Sequence, residues 1–231
     1  MLGSFFRPAQ ATEPAPKTVA ILGLAGGTTA RQLTAAFGDS VQITGVEIDP
    51  DILYVARRYF HLDEPNLHPV VQDARYYLAT SDRKFDVIAV DAYHQPYIPF
   101  HLTTREFFEQ ARAHLNPGGA TVVNAGRTVT DYRLVAALAS TMAAVYPNVY
   151  LVDVPQYTNT LIYGTAEPTS LEDIQHNLGL AREPLIRELS VSAQTEGNLR
   201  PSQYRGQVYT DDLAPVERLI DEIILGYASA H

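Results

Sequence analysis

The sequence predicts an α/β domain with a mostly parallel seven-stranded sheet and helices on both faces. Three observations carry this. Strand-like and helix-like segments alternate from Thr18 to Gly164, the pattern of a sheet built from crossover units. A glycine-rich turn, GLAGGT, follows the first apolar run at once. Each of the next three strands leads straight into an acid: Glu47 in VEIDP, Asp73 in VVQDAR and Asp91 in VIAVDAY.

The elements follow in order. Thr18–Leu22 reads as a buried strand and Thr28–Phe37 as a helix ended by Gly38. Val41–Val46 is β-rich. Pro50–Phe60 is helical, with Pro50 suited to a first turn. Pro69–Val71 is a short strand, Ala74–Thr80 a short helix, and FDVIAV (Phe85–Val90) another buried strand. After a loop rich in Tyr, His and Pro, Thr103 and Glu106 fit a capping box for a helix reaching Leu115. Asn116-Pro117-Gly118-Gly119 stops it. Ala120–Asn124 is the fifth strand and Asp131–Val145 a long helix. Val149–Val154 and Thr160–Gly164 are close enough to be antiparallel, across a turn holding Pro155 and Asn159. Residues 168–210 read as a helix followed by a mobile loop or lid, SVSAQTEGNLRPSQYRG, and Ala214–Tyr227 as a terminal amphipathic helix. Residues 1–17 read as a flexible arm, residues 18–167 as the nucleotide-binding catalytic domain, and 168–231 as an extension packed on it.

Composition narrows the function. The chain has 231 residues, 46% hydrophobic and 19% charged, which suits one domain with a real core. A net charge of −9 argues against a general nucleic-acid binder, which needs clustered Lys and Arg. No apolar run approaches the roughly 20 residues of a membrane span. With no Cys there is no disulfide framework or thiolate metal site, and no metal is expected. The N-terminus is not a convincing signal peptide, so a cytoplasmic protein is expected.

In open α/β sheets ligands bind beyond the carboxyl ends of the strands. The turn alone is ambiguous between chain reversal and ligand binding. It lacks the Lys-Ser/Thr of a phosphate loop and departs from G-x-G-x-x-G: Gly23, Gly26 and Gly27 are glycines, while Ala25 is not. Glu47 stands about 20 residues on, where an acid accepts both ribose hydroxyls. Asp73 suits an adenine amino group or a helix cap. Asp91 stands where the reacting group should lie, or serves its loop as a hydrogen-bonding residue. Together, behind a glycine turn, the three point to a nucleoside site.

With these residues assembled, the chain resembles the spermidine synthase family and its wider spermidine-synthase-like branch. Members have the Rossmann-like class I S-adenosylmethionine methyltransferase fold. GLAGGTTARQL, VEIDPDILYVARRYF and FDVIAVDAYHQPYIPFHLTTREFFEQARAHLNPGGATVVN carry the resemblance, which resumes at YTDDLAPVE. It implies that Gly23, Gly26 and Gly27, with Ala25 among them, line the methionine-derived part and ribose of S-adenosylmethionine or its decarboxylated form. It implies Glu47 on the ribose hydroxyls, Ile48 against adenine, and Asp73 and Ala74 at the adenine edge. Asp91 matches the catalytic aspartate that steers and deprotonates an attacking amine. His101-Leu102-Thr103-Thr104 matches the start of the helix behind the site. The acceptor so implied is a small molecule of the polyamine class.

Three departures qualify that. Ala25 stands where spermidine synthases keep an Asp that grips the free amine of the decarboxylated donor. His94 stands where they keep a second acid, three residues after the catalytic one. Only 22 residues precede Gly23, too few for the family's N-terminal β-domain. The sheet edge so exposed points to a homodimer.

On this reading Asp91 is the base and His94 shares or relays its proton, unless His94 is only a loop hydrogen-bonder. Tyr93, His94, Tyr97 and Phe100 wall the acceptor pocket, unless they merely pack the loop. Tyr157, Tyr204 and Tyr209 are more distant candidates, and Asp211 and Asp212 read as helix-capping acids. Three alternatives stay open. Methyl transfer from intact S-adenosylmethionine fits a neutral Ala25, and a non-catalytic nucleotide-binding protein fits the altered acids. An NAD-dependent dehydrogenase shares Glu47 but leaves the DAY…P…HLTT segment unexplained.

Overall fold

A computed structural model describes residues 2–9, 15–94, 96–154, 157–195 and 197–229. Four βα units come first: β1 (Thr18–Leu22) and α1 (Thr28–Phe37), β2 (Gln42–Glu47) and α2 (Pro50–Tyr59), β3 (Leu67–Val71) and α3 (Ala74–Thr80), β4 (Phe85–Val90) and α4 (Arg105–Ala113). Then follow β5 (Leu115–Gly126), α5 (Arg133–Ala143), β6 (Asn148–Val154), β7 (Asn159–Thr165), α6 (Leu171–Gly179), α7 (Pro184–Ala193), β8 (Arg200–Pro201) and α8 (Val216–Ser229). The β-branched, nearly all-apolar runs TVAIL and FDVIAV make β1 and β4 the buried centre of the sheet.

The strand order is β3-β2-β1-β4-β5-β7-β6-β8. The five strands from β3 to β5 are parallel, and β7, β6 and β8 are antiparallel to their neighbours. The sheet is therefore mainly parallel as expected, but it has eight strands, not seven. The extra strand is the two-residue pairing of Arg200 and Pro201 with β6, too short to leave a period. The hairpin of β6 and β7 is antiparallel as read. Pro155 of its turn lies outside the described residues.

Two apolar layers sandwich the sheet. Val19, Ile21, Ile43 and Val122 face α1, α2, α6 and α7. Ala20, Leu22, Ile88 and Val123 face α3, α4, α5 and α8. This is the period-two alternation of strands buried on both faces.

Four local readings are corrected. Leu2–Phe6 are not a flexible arm: all are buried, and the Phe6 ring stacks on Tyr163 at 3.7 Å. Full burial of a Phe is worth roughly 1.5–3 kcal/mol, which offsets the cost of ordering a terminus. Residues 10–14 lie outside the described ones. Second, the expected loop or lid begins as the end of α7, whose Ile186, Ser190 and Ala193 are buried, and continues through Leu199 and Ser202, buried too. Third, the cap of α4 is Thr104, whose Oγ1 accepts from the Phe107 N–H at 3.3 Å. The Thr103 hydroxyl turns back to the Phe100 carbonyl at 2.7 Å. Fourth, Asn116–Gly119 belong to β5, because Leu115 already pairs with Phe85.

Candidate functional site

The acids predicted from the sequence stand side by side along one edge of the sheet. In spatial order they are Asp73 after β3, Glu47 on β2, the glycine turn after β1, and Asp91 after β4. Each lies at the carboxyl end of a parallel strand, which is why the order along the chain becomes an array in space.

The turn and Glu47 form one unit. The N–H groups of Gly23 and Leu24 both donate to the Val46 carbonyl, at 2.9 and 3.1 Å. Gly23 has φ +96°, and a Cβ there would stand 2.5 Å from the Asp91 carbonyl oxygen, so only glycine permits the close approach of β1 to β4. Ala25 is also left-handed, with φ 46°, and its N–H donates to Glu47 Oε2 at 3.0 Å. Glu47 Oε1 accepts from the N–H groups of Ile48 and Asp49, at 3.0 and 3.3 Å. A carboxylate has about four acceptor positions. Three are used, so the buried Glu47 is held in place and keeps capacity for a hydroxyl donor. Ile48 beside it is 66% exposed, an open apolar platform.

Asp73 caps α3 by accepting from the Tyr76 N–H at 2.9 Å, and its Oδ2 meets His101 Nε2 at 3.0 Å. Partial burial opposes its charge, but these partners outweigh it and hold its pKa below the usual carboxylate range. Ala74 is buried behind it. Next along α3, Arg75 pairs through both terminal nitrogens with Asp211, at 2.7 and 2.6 Å, and donates to the His101 carbonyl at 3.1 Å. Asp211 therefore ties the segment before α8 to the Asp73 rim. It is a clamp, where the sequence reads a helix cap.

Asp91 is the only one of the predicted acids that lines a cavity of about 570 Å³ at the end of the sheet, a size typical of small-molecule sites. Its N–H donates to the Leu22 carbonyl at 2.8 Å. Its Oδ1 accepts from Asn124 Nδ2 at 3.0 Å, and Asn124 Oδ1 accepts in turn from Asn159 Nδ2 at 2.8 Å. Asp91 is exposed, but into this concavity. Desolvation by the surrounding protein raises its pKa, and the Asn124 amide partly opposes that by stabilising the charge. A carboxylate with a raised pKa in a cleft is a candidate for taking or giving a proton.

Tyr93 stands beside this chain. Its hydroxyl donates to the Asn124 carbonyl at 2.6 Å and accepts from the Gly126 N–H at 3.1 Å, and burial pushes its pKa up to about 12. It therefore braces the Asp91–Asn124 pair as a neutral phenol. The remaining loop residues spread out. His94 and Tyr97 exchange backbone hydrogen bonds at 2.9 Å, and His94 is exposed. The Tyr97 hydroxyl donates to Asp221 of α8 at 2.7 Å. Phe100 is 47% exposed, its ring edge-on to His101. Among Tyr157, Tyr204 and Tyr209, only Tyr157 lines the cavity, while Tyr209 is buried under α4 and α5.

Several residues of the site escape the sequence reading. Asn124 follows the same strand-end logic one strand further on. Thr28, Thr29 and Gln32 of α1 and Ser192 of α7 also line the cavity, but nothing in their local pattern marks them.

Comparison with known proteins gives a consistent set of likenesses. The family model for the spermine/spermidine synthase domain matches residues 7–175. A probable polyamine aminopropyl transferase of Bifidobacterium longum is 37% identical over 233 residues, covering 91% of this chain and 51% of that protein. The chain spans about half the length of the curated relatives it matches. A probable spermidine synthase of Corynebacterium glutamicum superimposes with a TM-score of 0.60 and 25% identity, over 78% of this chain and 71% of that one. A spermidine synthase solved with the transition state analogue AdoDATO gives a TM-score of 0.65 at 22% identity, over 85% and 68% of the two chains, a likeness of fold.

Proposed function

Because the chain belongs to the spermine/spermidine synthase domain family, we propose that it is an aminopropyltransferase acting from a sulfonium nucleoside, decarboxylated S-adenosylmethionine, onto an amine. The observation that carries this is Asp91, held by Asn124 at 3.0 Å, with its pKa raised, in the cavity at the carboxyl edge of the sheet. Glu47 and Ile48 supply a fixed carboxylate and an apolar platform for the nucleoside. Asp73 adds an acceptor at the far end of the row.

The chemistry asked of the protein is modest. A sulfonium donor supplies an electrophilic carbon. The amine nitrogen forms a bond to that carbon. The carbon–sulfur bond breaks with its electron pair going to sulfur, leaving a neutral thioether. The proton lost from nitrogen goes to Asp91. Asp91 thus holds the amine in line and takes its proton, and the cavity walls exclude water.

One observation favours a second reading. Ala25 presents no charge in the turn next to Glu47, so it does not repel the carboxylate of intact S-adenosylmethionine. Methyl transfer from that donor is the reading it supports.

Calorimetric titration with S-adenosylmethionine, its decarboxylated form and methylthioadenosine separates the two. The first reading expects the decarboxylated donor to bind most tightly, and a preference for the intact donor replaces it with the second. Binding of none of the three removes both. Asp91→Asn is expected to lower turnover by about 10²–10⁴ with donor affinity kept. Full turnover in that variant would refute Asp91 as base.

A further inference from the structure

The cavity beyond Asp91 holds a charge pattern that narrows the acceptor. Resting on the transferase reading above, we propose that this site takes a primary amine with an uncharged, mainly apolar tail, in preference to a dicationic polyamine.

Among the described residues, two acids line the cavity, Asp91 and Asp153. Their situations are opposite. Asp153 is already compensated on both oxygens. Its Oδ2 pairs with Arg200 Nη2 at 2.9 Å and accepts from the Tyr132 hydroxyl at 3.1 Å. Its Oδ1 accepts from the Thr160 hydroxyl at 2.5 Å, with Arg127 Nε at 3.7 Å. Two guanidinium groups thus stand on one carboxylate, and that end of the site offers no anion to an incoming cation. Among the described residues Asp91 has no cationic partner; Asn124 gives it only a neutral amide.

The rest of the lining carries no charge. Ile21, Ala89, Val122 and Leu161 come from the sheet, and Thr28 and Gln32 from α1. An amine entering the site finds one carboxylate for its reacting end. A second ammonium further along would lose its water against an apolar wall and a pair of arginines, with no free acid to meet it. A neutral tail gains from the same wall. Tyr163 also lines the cavity. Its hydroxyl is fully buried and has no hydrogen-bond partner among the described residues. Burial raises its pKa, so it is a neutral donor. It therefore adds no charge to the wall.

The test is a calorimetric titration of three amines of equal carbon length into the protein saturated with methylthioadenosine: n-butylamine, 4-amino-1-butanol and 1,4-diaminobutane. The first two are expected to bind at least tenfold more tightly than the third. Tyr157 is 70% exposed at the cavity mouth, so Tyr157→Asp adds a carboxylate without disturbing the core. It is expected to shift the preference towards 1,4-diaminobutane by roughly tenfold. Equal or tighter binding of 1,4-diaminobutane by the parent protein overturns the proposal, as does binding of none of the amines or an unchanged ratio in Tyr157→Asp. The titrations repeated without the nucleoside read the same preference whether or not a donor binds. Failure of the donor reading is thereby separated from failure of this one.

Discussion

Asn124, on β5, donates its side-chain amide to the carboxylate of Asp91, after β4, at 3.0 Å. Burial raises the pKa of Asp91, and this bond opposes the rise. Removing it in Asn124→Ala lifts the pKa further. With Asp91 as the proposed base, active only when ionised, activity is present above that pKa and lost as pH falls through it. The acid limb of the pH–rate profile is therefore expected to move to higher pH. The cost at neutral pH is roughly tenfold in kcat/KM, from the loss of a hydrogen bond to a charged group, and it is recovered in alkali. An unmoved limb would mean that Asn124 does not tune the base.

The glycine turn sorts its own residues. At Gly23 a Cβ would meet the Asp91 carbonyl oxygen at 2.5 Å, with φ at +96°. At Gly26 the nearest atom is on the Phe60 ring at 3.7 Å, an ordinary contact. Gly23→Ala is expected to cost about 2–4 kcal/mol, from a left-handed backbone plus a clash with main chain. Gly26→Ala should stay within about 1 kcal/mol. Urea unfolding of the two variants checks the order, and equal costs would contradict the packing.

Arg75 and Asp211 join α3 to the segment before α8 through two hydrogen bonds of 2.7 and 2.6 Å. The pair is partly exposed, so Asp211→Ala should cost only about 0.5–1 kcal/mol. The sharper readout is local: amide exchange across Tyr209–Leu213 is expected to quicken. The bond to Arg75 holds the Asp211 pKa below its ordinary value despite some desolvation. A lowered acid pKa contributes stability that is present above the unfolded value and lost as pH falls through the folded one. Asp211→Ala should therefore narrow the stability gap to the parent as the medium is acidified below the ordinary carboxylate range. A gap independent of pH would argue against the clamp.

Much of the fold was legible because β1, β2 and β4 are largely buried. Such strands leave unbroken apolar runs, and the turns between them carry glycine, proline and capping acids; β1, α1, α3 and β4 match their expected bounds. The ends of the chain were not legible. Leu2–Phe6 owe their order to Tyr163 and the sheet face, which no local pattern encodes. β8 is a two-residue pairing set by the edge of β6. The shared edge of Glu47, Asp73 and Asp91 could be read because the end of a parallel strand is a place in the sequence as well as in space. Asp153 carried no such mark, since its arginine partners are distant in sequence and meet it only across the antiparallel end of the sheet.

Ala25 brings the backbone and the donor question to one residue. Its φ of 46° is a conformation that costs an alanine roughly 1–2 kcal/mol, and its N–H holds the Glu47 carboxylate at 3.0 Å. Glycine would relieve the strain, so Ala25→Gly is expected to stabilise the protein by about 0.5–1 kcal/mol after the entropy of the freer unfolded chain is set against it. Aspartate tolerates the left-handed region better than alanine. It would also add a carboxylate beside Glu47, which on the proposed donor site repels the carboxylate of intact S-adenosylmethionine and attracts the amine of the decarboxylated form. Ala25→Asp is therefore expected to move donor preference towards the decarboxylated form by at least about tenfold, read as the ratio of the two dissociation constants by calorimetry. The aspartate's side chain has no cation of its own in the turn, so the gain should fade as salt is raised. An unchanged ratio at low salt would show that residue 25 does not face the part of the donor in which the two forms differ.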